Sequence, residues 1–130
     1  MNKLTNADIS ILHALWKSNK PLLASEIVKI DESLSIPTVQ RHLKQLIKKE
    51  YIEVADIVQS GKVLARRYQA LKTSDNFLKE EFSDLLPTIG NKSAFSTGII
   101  SALLNNSEDD ESVITELENF IEEQKNKMRE

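Results

Sequence analysis

The sequence predicts a mainly α-helical fold with one small β-hairpin, and three observations carry that expectation. Apolar residues recur at helical spacing in six stretches. Helix-capping residues stand directly before the first and third of them. Between the third and fourth lie two extended segments rich in Val, Ile and Tyr, joined through a glycine.

The first helix is expected to start at Thr5, where Thr5-Asn6-Ala7-Asp8 puts a hydroxyl at the N-cap and a carboxylate three residues on. This is a capping box with Asp in place of the usual Glu. Ile9, Leu12, Leu15 and Trp16 then form one buried stripe, and Ser18-Asn19-Lys20-Pro21 ends the helix. Leu22-Leu23 is long enough only for a β-bridge. A second helix over about residues 24–30 carries apolar Ile27, Val28 and Ile30 but has no good cap, and Asp31-Glu32-Ser33 is the turn that follows.

The third helix is more strongly signed. Ser35 is its N-cap, and Pro37 sits in the first turn, where a missing N–H costs nothing. The helix runs to Lys49 with Val39, Leu43, Leu46 and Ile47 on one face. Thr38, Arg41, Lys44, Gln45 and Lys48 occupy the other face, with Gln40 and His42 on the flanks. Two strands follow over residues 52–58 and 62–71, joined by Gln59-Ser60-Gly61, where Gly61 can take the positive φ of a tight hairpin. Three helices and a hairpin in this order make the winged helix-turn-helix plan.

The remainder reads as helical. Phe77, Leu78, Phe82, Leu85 and Leu86 form an amphipathic run ended by Pro87. After a loop containing Gly90, Ser93 is the expected cap of a helix with Phe95, Ile99, Ile100, Leu103 and Leu104 on its apolar side. An acidic connector over residues 105–111 leads to a last helix marked by Val113, Ile114, Leu117, Phe120, Ile121 and Met128. These helices are too short to bury their stripes on one another alone, so the stripes need a partner surface. The expected organisation is a winged domain over residues 1–72 and a helical dimerisation segment over 73–130. Phe95, Ile99, Leu103, Val113, Leu117 and Ile121 are its dimerisation residues.

The formal charge of −3 averages two unlike halves. Residues 1–75 carry 12 Lys/Arg against 8 Asp/Glu, whereas residues 76–130 carry 5 against 12. A basic N-terminal half suits a polyanion, and an acidic tail suits a role facing away from it. The third helix sharpens this. A helix in the major groove needs apolar residues behind it and hydrogen-bonding side chains in front, which Thr38, Gln40, Arg41 and Lys44 provide near its N-terminal half. Arg can pair with guanine O6/N7 and Gln with adenine N6/N7. Lys48 and Lys49 lie further along and suit phosphate. Lys62, Arg66 and Arg67 give the hairpin three cations where a wing would flank the groove; alternation puts Arg67 and Gln69 on one face, Arg66 and Tyr68 on the other. The alternation does not decide which arginine meets DNA. A solvated helix face and charged edge protection are the plain alternatives for these two charge sets.

Other classes are weakly signed. With no cysteine, disulfides, thiolate metal sites and redox switching are excluded. His13 and His42 lie 29 residues apart without ligand spacing, so both are expected to be structural, and neither a metal nor a cofactor is expected. No phosphate loop, nucleophile elbow or catalytic carboxylate pair occurs, and an enzyme is not expected. No apolar run reaches the roughly 18–20 residues of a membrane span. The start, MNKLTNADIS, has no hydrophobic signal region, so the expected compartment is the cytoplasm.

Several motifs together resemble the penicillinase and methicillin-resistance repressors and the related copper-responsive repressors of Gram-positive bacteria. They are Asn6-Ala7-Asp8 through Leu15-Trp16, and Ser35-Ile36-Pro37-Thr38-Val39 through Leu46-Ile47-Lys48-Lys49. Thr73-Ser74-Asp75-Asn76-Phe77-Leu78, Ser101-Ala102-Leu103-Leu104 and Glu116-Leu117-Glu118 continue the likeness across nearly the whole chain. The resemblance implies a bacterial homodimer on a palindromic double-stranded DNA operator, blocking transcription by occupying the promoter, with an upstream signalling component left unidentified. The chain departs from the family in three respects. Where β-lactam-responsive members are cleaved at an Asn-Phe bond, the nearest positions here are Ala102-Leu103. The C-terminal cysteine pair of copper-responsive members is missing. The hairpin also reads longer than in the β-lactam-responsive members. A ligand-sensing winged-helix regulator and a winged helix used for protein–protein contact stand as alternatives; seven aromatic residues in 130 offer little lining for a ligand pocket.

Overall fold

In the computed structural model residues 4–104 and 109–129 are described. Part of the expected acidic connector, residues 105–108, lies outside them. The chain divides into two compact units, residues 1–84 and 85–130.

In the first unit, α1 (Asn6–Ser18) opens on the capping box: the Asp8 amide donates to Thr5 Oγ1 at 3.2 Å, and the Thr5 amide to Asp8 Oδ2 at 2.9 Å. It ends at Asn19, which takes the left-handed conformation (φ 54°) open to Asn at little cost. β1 (Leu22–Leu23) is the expected two-residue piece. In α2 (Ala24–Ile30) no side chain caps the first turn from the N-cap position; Glu26 Oε1 accepts the Leu23 amide at 2.8 Å instead. The turn is locked by Asp31 Oδ1, which accepts the Ser33 amide at 3.1 Å. α3 (Ile36–Lys48) then begins at Ser35, as its cap and Pro37 predict.

β2 (Ile52–Ser60) and β3 (Val63–Ala70) form an antiparallel hairpin, and β1 pairs with β3 to give the sheet order β1-β3-β2. The turn is tighter than expected. Ser60 pairs with Val63, leaving two residues between the strands, and Gly61 takes φ 64° at the first of them. That position in a type II′ turn is reserved for glycine. The register also slips by one between Val54 and Asp56, so Ala55 is a bulge.

The core combines Ile11, Leu12, Ala14 and Leu15 of α1 with Leu22, Ile27, Val39, Leu43, Leu46, Ile52 and Phe77. Two expectations change here. Ile9 is 41% exposed, and Ile11 and Ala14 take the inner positions, because α1 is covered on a broader face than one stripe. Trp16 is half-buried; its Nε1–H donates to the Lys72 carbonyl at 2.8 Å, while its ring packs against Phe77 at 5.2 Å. Phe77 also meets Tyr51 edge-on at 5.8 Å. Through Phe77, α4 (Ser74–Leu85) joins the first core, and the first compact unit runs on to residue 84.

In the second unit a 3₁₀ turn at Leu86–Thr88 holds Pro87, and α5 (Lys92–Leu103) follows. Asn91, not Ser93, caps α5, its Oδ1 accepting the Ala94 amide at 3.0 Å. Both residue types suit an N-cap, and the helix starts one residue after the asparagine. α6 (Asp110–Met128) completes the described chain. Neither α5 nor α6 has a buried residue.

Candidate nucleic-acid interface

α3 has a dry back and a wet front. Val39, Leu43 and Leu46 are buried, while Gln40, Arg41, Lys44 and Lys48 are exposed and have no hydrogen-bond or ion-pair partner among the described residues. Thr38 is half-buried, and its Oγ1 accepts from the Ser35 hydroxyl at 2.9 Å. Its hydroxyl is therefore partly committed to the cap. Three cations on one exposed row, with no carboxylate pairing them, make a surface whose field falls on whatever docks there.

The helix is also pinned from behind. His42 Nδ1 lies 2.8 Å from Oδ1 of Asp8, a carboxylate that is fully buried. Burial pushes the Asp8 carboxyl up, but the Thr5 amide and hydroxyl together with the His42 ring outweigh it, and the group sits below its usual value of 3.8. One carboxylate thus caps α1 and holds α3 across 34 residues of sequence. Spacing could not reveal this link, because it joins two helices through tertiary packing. His13, expected to be structural, is exposed on α1.

On the hairpin the two adjacent arginines differ. Directly opposed residues in antiparallel strands share a face. Arg67 opposes Asp56 and forms a two-point ion pair with it, Nε to Oδ1 at 2.7 Å and Nη2 to Oδ2. The hydrogen bond lowers the Asp56 carboxyl and raises the Arg67 guanidinium. Gln69 and Glu53 are joined on the same face. Arg66 opposes Ile57 instead, is exposed, and has no partner among the described residues. Lys62 at the turn is likewise exposed and unpartnered. The bulge at Ala55 decides this allocation, and nothing in Val54-Ala55-Asp56 announces it.

The six candidate dimerisation residues fall on two rows of four-residue spacing. Phe95, Ile99 and Leu103 lie along α5, exposed by 36, 44 and 61%. Along α6, Val113 and Leu117 are half-buried and Ile121 is 48% exposed. No helix among the described residues is long and apolar enough to cross a membrane.

One solved structure shares this architecture. A MepR variant from a multidrug-resistant clinical isolate of S. aureus superposes with a TM-score of 0.50 at 20% identity, covering 94% of this chain and 80% of that one, a likeness of fold. A PadR family transcription regulator from Clostridium difficile gives a TM-score of 0.49 at 20% identity, covering 78% of this chain and 100% of that one. The adhesin competence repressor of Streptococcus pyogenes gives 0.45 at 16% identity, with coverages of 94% and 80%. No curated protein matches the sequence. The model of the penicillinase repressor family matches residues 4–123, and the chain belongs to that family of DNA-binding transcriptional repressors.

Proposed function

We propose that the chain represses transcription as a homodimer on a palindromic operator in the bacterial cytoplasm. Residues 1–72 form the reader and 73–130 the dimerising segment. Arg41 and Gln40 contact base edges in the major groove, with Thr38 and Lys44 beside them. Lys48 acts on the phosphate backbone, and the wing cations Lys62 and Arg66 reach the flanking duplex, while Arg67 is held by Asp56. The observation that supports this reading best is the exposed, unpartnered cation row of α3 over a fully buried back. Dimerisation is supported by a C-terminal unit whose described residues include Phe120, Ile121 and Leu103 in the open and none buried. Stripes of this size find their burial in a second copy.

The test is selection of bound DNA from a random pool at physiological salt. An inverted repeat with half-sites about one helical turn apart is expected. Recovery of sequences without common pattern, or binding indifferent to salt, overturns the reading.

One observation favours a second reading, regulation by a small molecule. A cleft of about 450 Å³ lies in the first unit between Trp16, Lys20 and Pro21 on one side and Gln69, Leu71 and Lys72 on the other. Trp16 is the sole tryptophan, so its fluorescence reports occupancy directly. Effectors that shift both this emission and operator affinity would establish sensing there.

A further inference from the structure

The hairpin carries large apolar side chains that the fold does not bury. Leu64 is 73% exposed, Val63 65% and Ile57 58%. By register Leu64 and Ile57 share one face, and Val63 lies on the other. Leu64, Arg66 and Tyr68 alternate along β3 on one face, and their opposed partners Gln59, Ile57 and Val54 share it. Tyr68 packs against the core, so this is the face on which the helices sit. Leu64 lies four residues beyond Tyr68, about 13 Å at the usual strand rise. That distance is comparable to the width of a major groove. The opposite face is self-neutralised by the Asp56–Arg67 pair.

We infer that this inner wing face, Arg66 with Leu64 and Ile57 beside it, takes the minor groove next to the major-groove site of α3, and that Arg66, not Arg67, is the wing's DNA-contacting arginine. The inference rests on the DNA-reading function proposed above. Three features favour this occupant. Arg66 and Lys62 bring positive charge with no carboxylate in partnership, and a narrow minor groove is where negative potential is deepest. Leu64 and Ile57 flank that charge as apolar edges, the combination that lets a protein press on base steps while an arginine enters the groove. The type II′ turn at Gly61 keeps the tip two residues wide, slim enough to enter. The consequence is a preference for A·T over G·C at base pairs outside those that α3 touches, because the guanine N2 amino group projects into the minor groove.

The test uses the full chain and the operator recovered by selection, with its flanking base pairs replaced by G·C and then by inosine·cytosine, which lacks that amino group. For the unsubstituted protein, G·C is expected to weaken binding about tenfold and inosine·cytosine to restore it. Arg66→Ala should lower affinity about tenfold and, like Leu64→Ser, erase the difference between the two flanks. Asp56→Asn with Arg67→Gln, which removes the ion pair as a unit, should change affinity by less than about twofold. The inference is overturned if G·C and inosine·cytosine bind alike, or if Arg66→Ala flattens only the salt dependence and keeps the discrimination, which is phosphate contact alone. It is also overturned if Leu64→Ser alters self-association of the free protein in sedimentation, which would assign the apolar edge to a second copy. Arg41→Ala separates the two levels. Weakened binding there with indifferent wing variants sinks the wing inference only, whereas no effect of Arg41→Ala sinks the DNA reading and the inference together.

Discussion

The two units of this chain treat apolar residues in opposite ways. The first gathers eleven into a closed core in which Ile11, Ile27, Val39 and Leu46 have no exposed surface. The second leaves Leu85, Ile99, Leu103, Phe120 and Ile121 at 44–61% exposure and buries nothing among its described residues. Burial of apolar surface is the main favourable term in folding, so the first unit carries its own stability. The second has stripes whose stabilising value is realised only against something else. Under the proposed function, the difference separates a rigid reader, which must hold side chains in register with base edges, from an element whose order is tied to assembly.

The sharpest way to break this contrast is to put charge into the second unit. Leu117→Asp with Ile121→Asp should abolish self-association in sedimentation velocity and lower operator affinity by about two to four orders of magnitude, since each half-site then binds unaided. A double variant that still sediments as a dimer would place the interface elsewhere. In the first unit the expected loss is of folding itself. Leu43→Ala deletes a fully buried side chain of α3 and should cost about 3 kcal/mol in denaturant unfolding, at any protein concentration.

A smaller effect tests the pin behind α3. Asp8→Ala removes the acceptor of the Thr5 amide, half of the capping box, and leaves His42 without its carboxylate, for a cost of about 2 kcal/mol. The pH dependence has a definite sign. The Asp8 carboxyl is held below 3.8, so its stabilisation is complete above that pH and is lost as pH falls through the lower folded-state value. Unfolding midpoints measured from pH 6 down to pH 2 should therefore fall more steeply for the unsubstituted chain than for Asp8→Ala. Equal slopes would mean that Asp8 contributes no charge-linked stability. The smallest effect is a gain. Glu50 ends α3 at φ 64°, with its amide on the Ile47 carbonyl and that of Tyr51 on Leu46. This is a Schellman closure, which favours glycine at the left-handed position. Glu50→Gly should raise stability by about 0.5–1 kcal/mol in thermal melts without changing the reading face.

What could be read in the sequence was local. The Thr5–Asp8 box, the Ser35 cap with Pro37, and Gly61 in the hairpin each act within a few residues, and each is found where its chemistry puts it. The exposed row of α3 followed from periodicity for the same reason. The features that differed depend on neighbours distant in sequence. Ile9 and Ile11 are alike in isolation, and only packing decides that Ile11 is inside. The choice of Asn91 over Ser93 is between two equally suitable caps. Asp8 with His42, and Arg67 with Asp56, are pairings that exist only once helices and strands are in register.

The bulge at Ala55 has a consequence for how such a repressor can diverge. Regular pairing of Ala55 with Arg67, in place of the bulge, would set Asp56 opposite Arg66 and leave Arg67 with no opposed carboxylate on the other face. No charged residue would change, yet the free guanidinium would move from one side of the wing to the other. Under the proposed function, operator preference is thus exposed to a one-residue change of pairing register in a strand as well as to substitutions on a reading helix. Two relatives with identical wing charges can then address DNA differently, and strand register becomes a heritable variable of specificity.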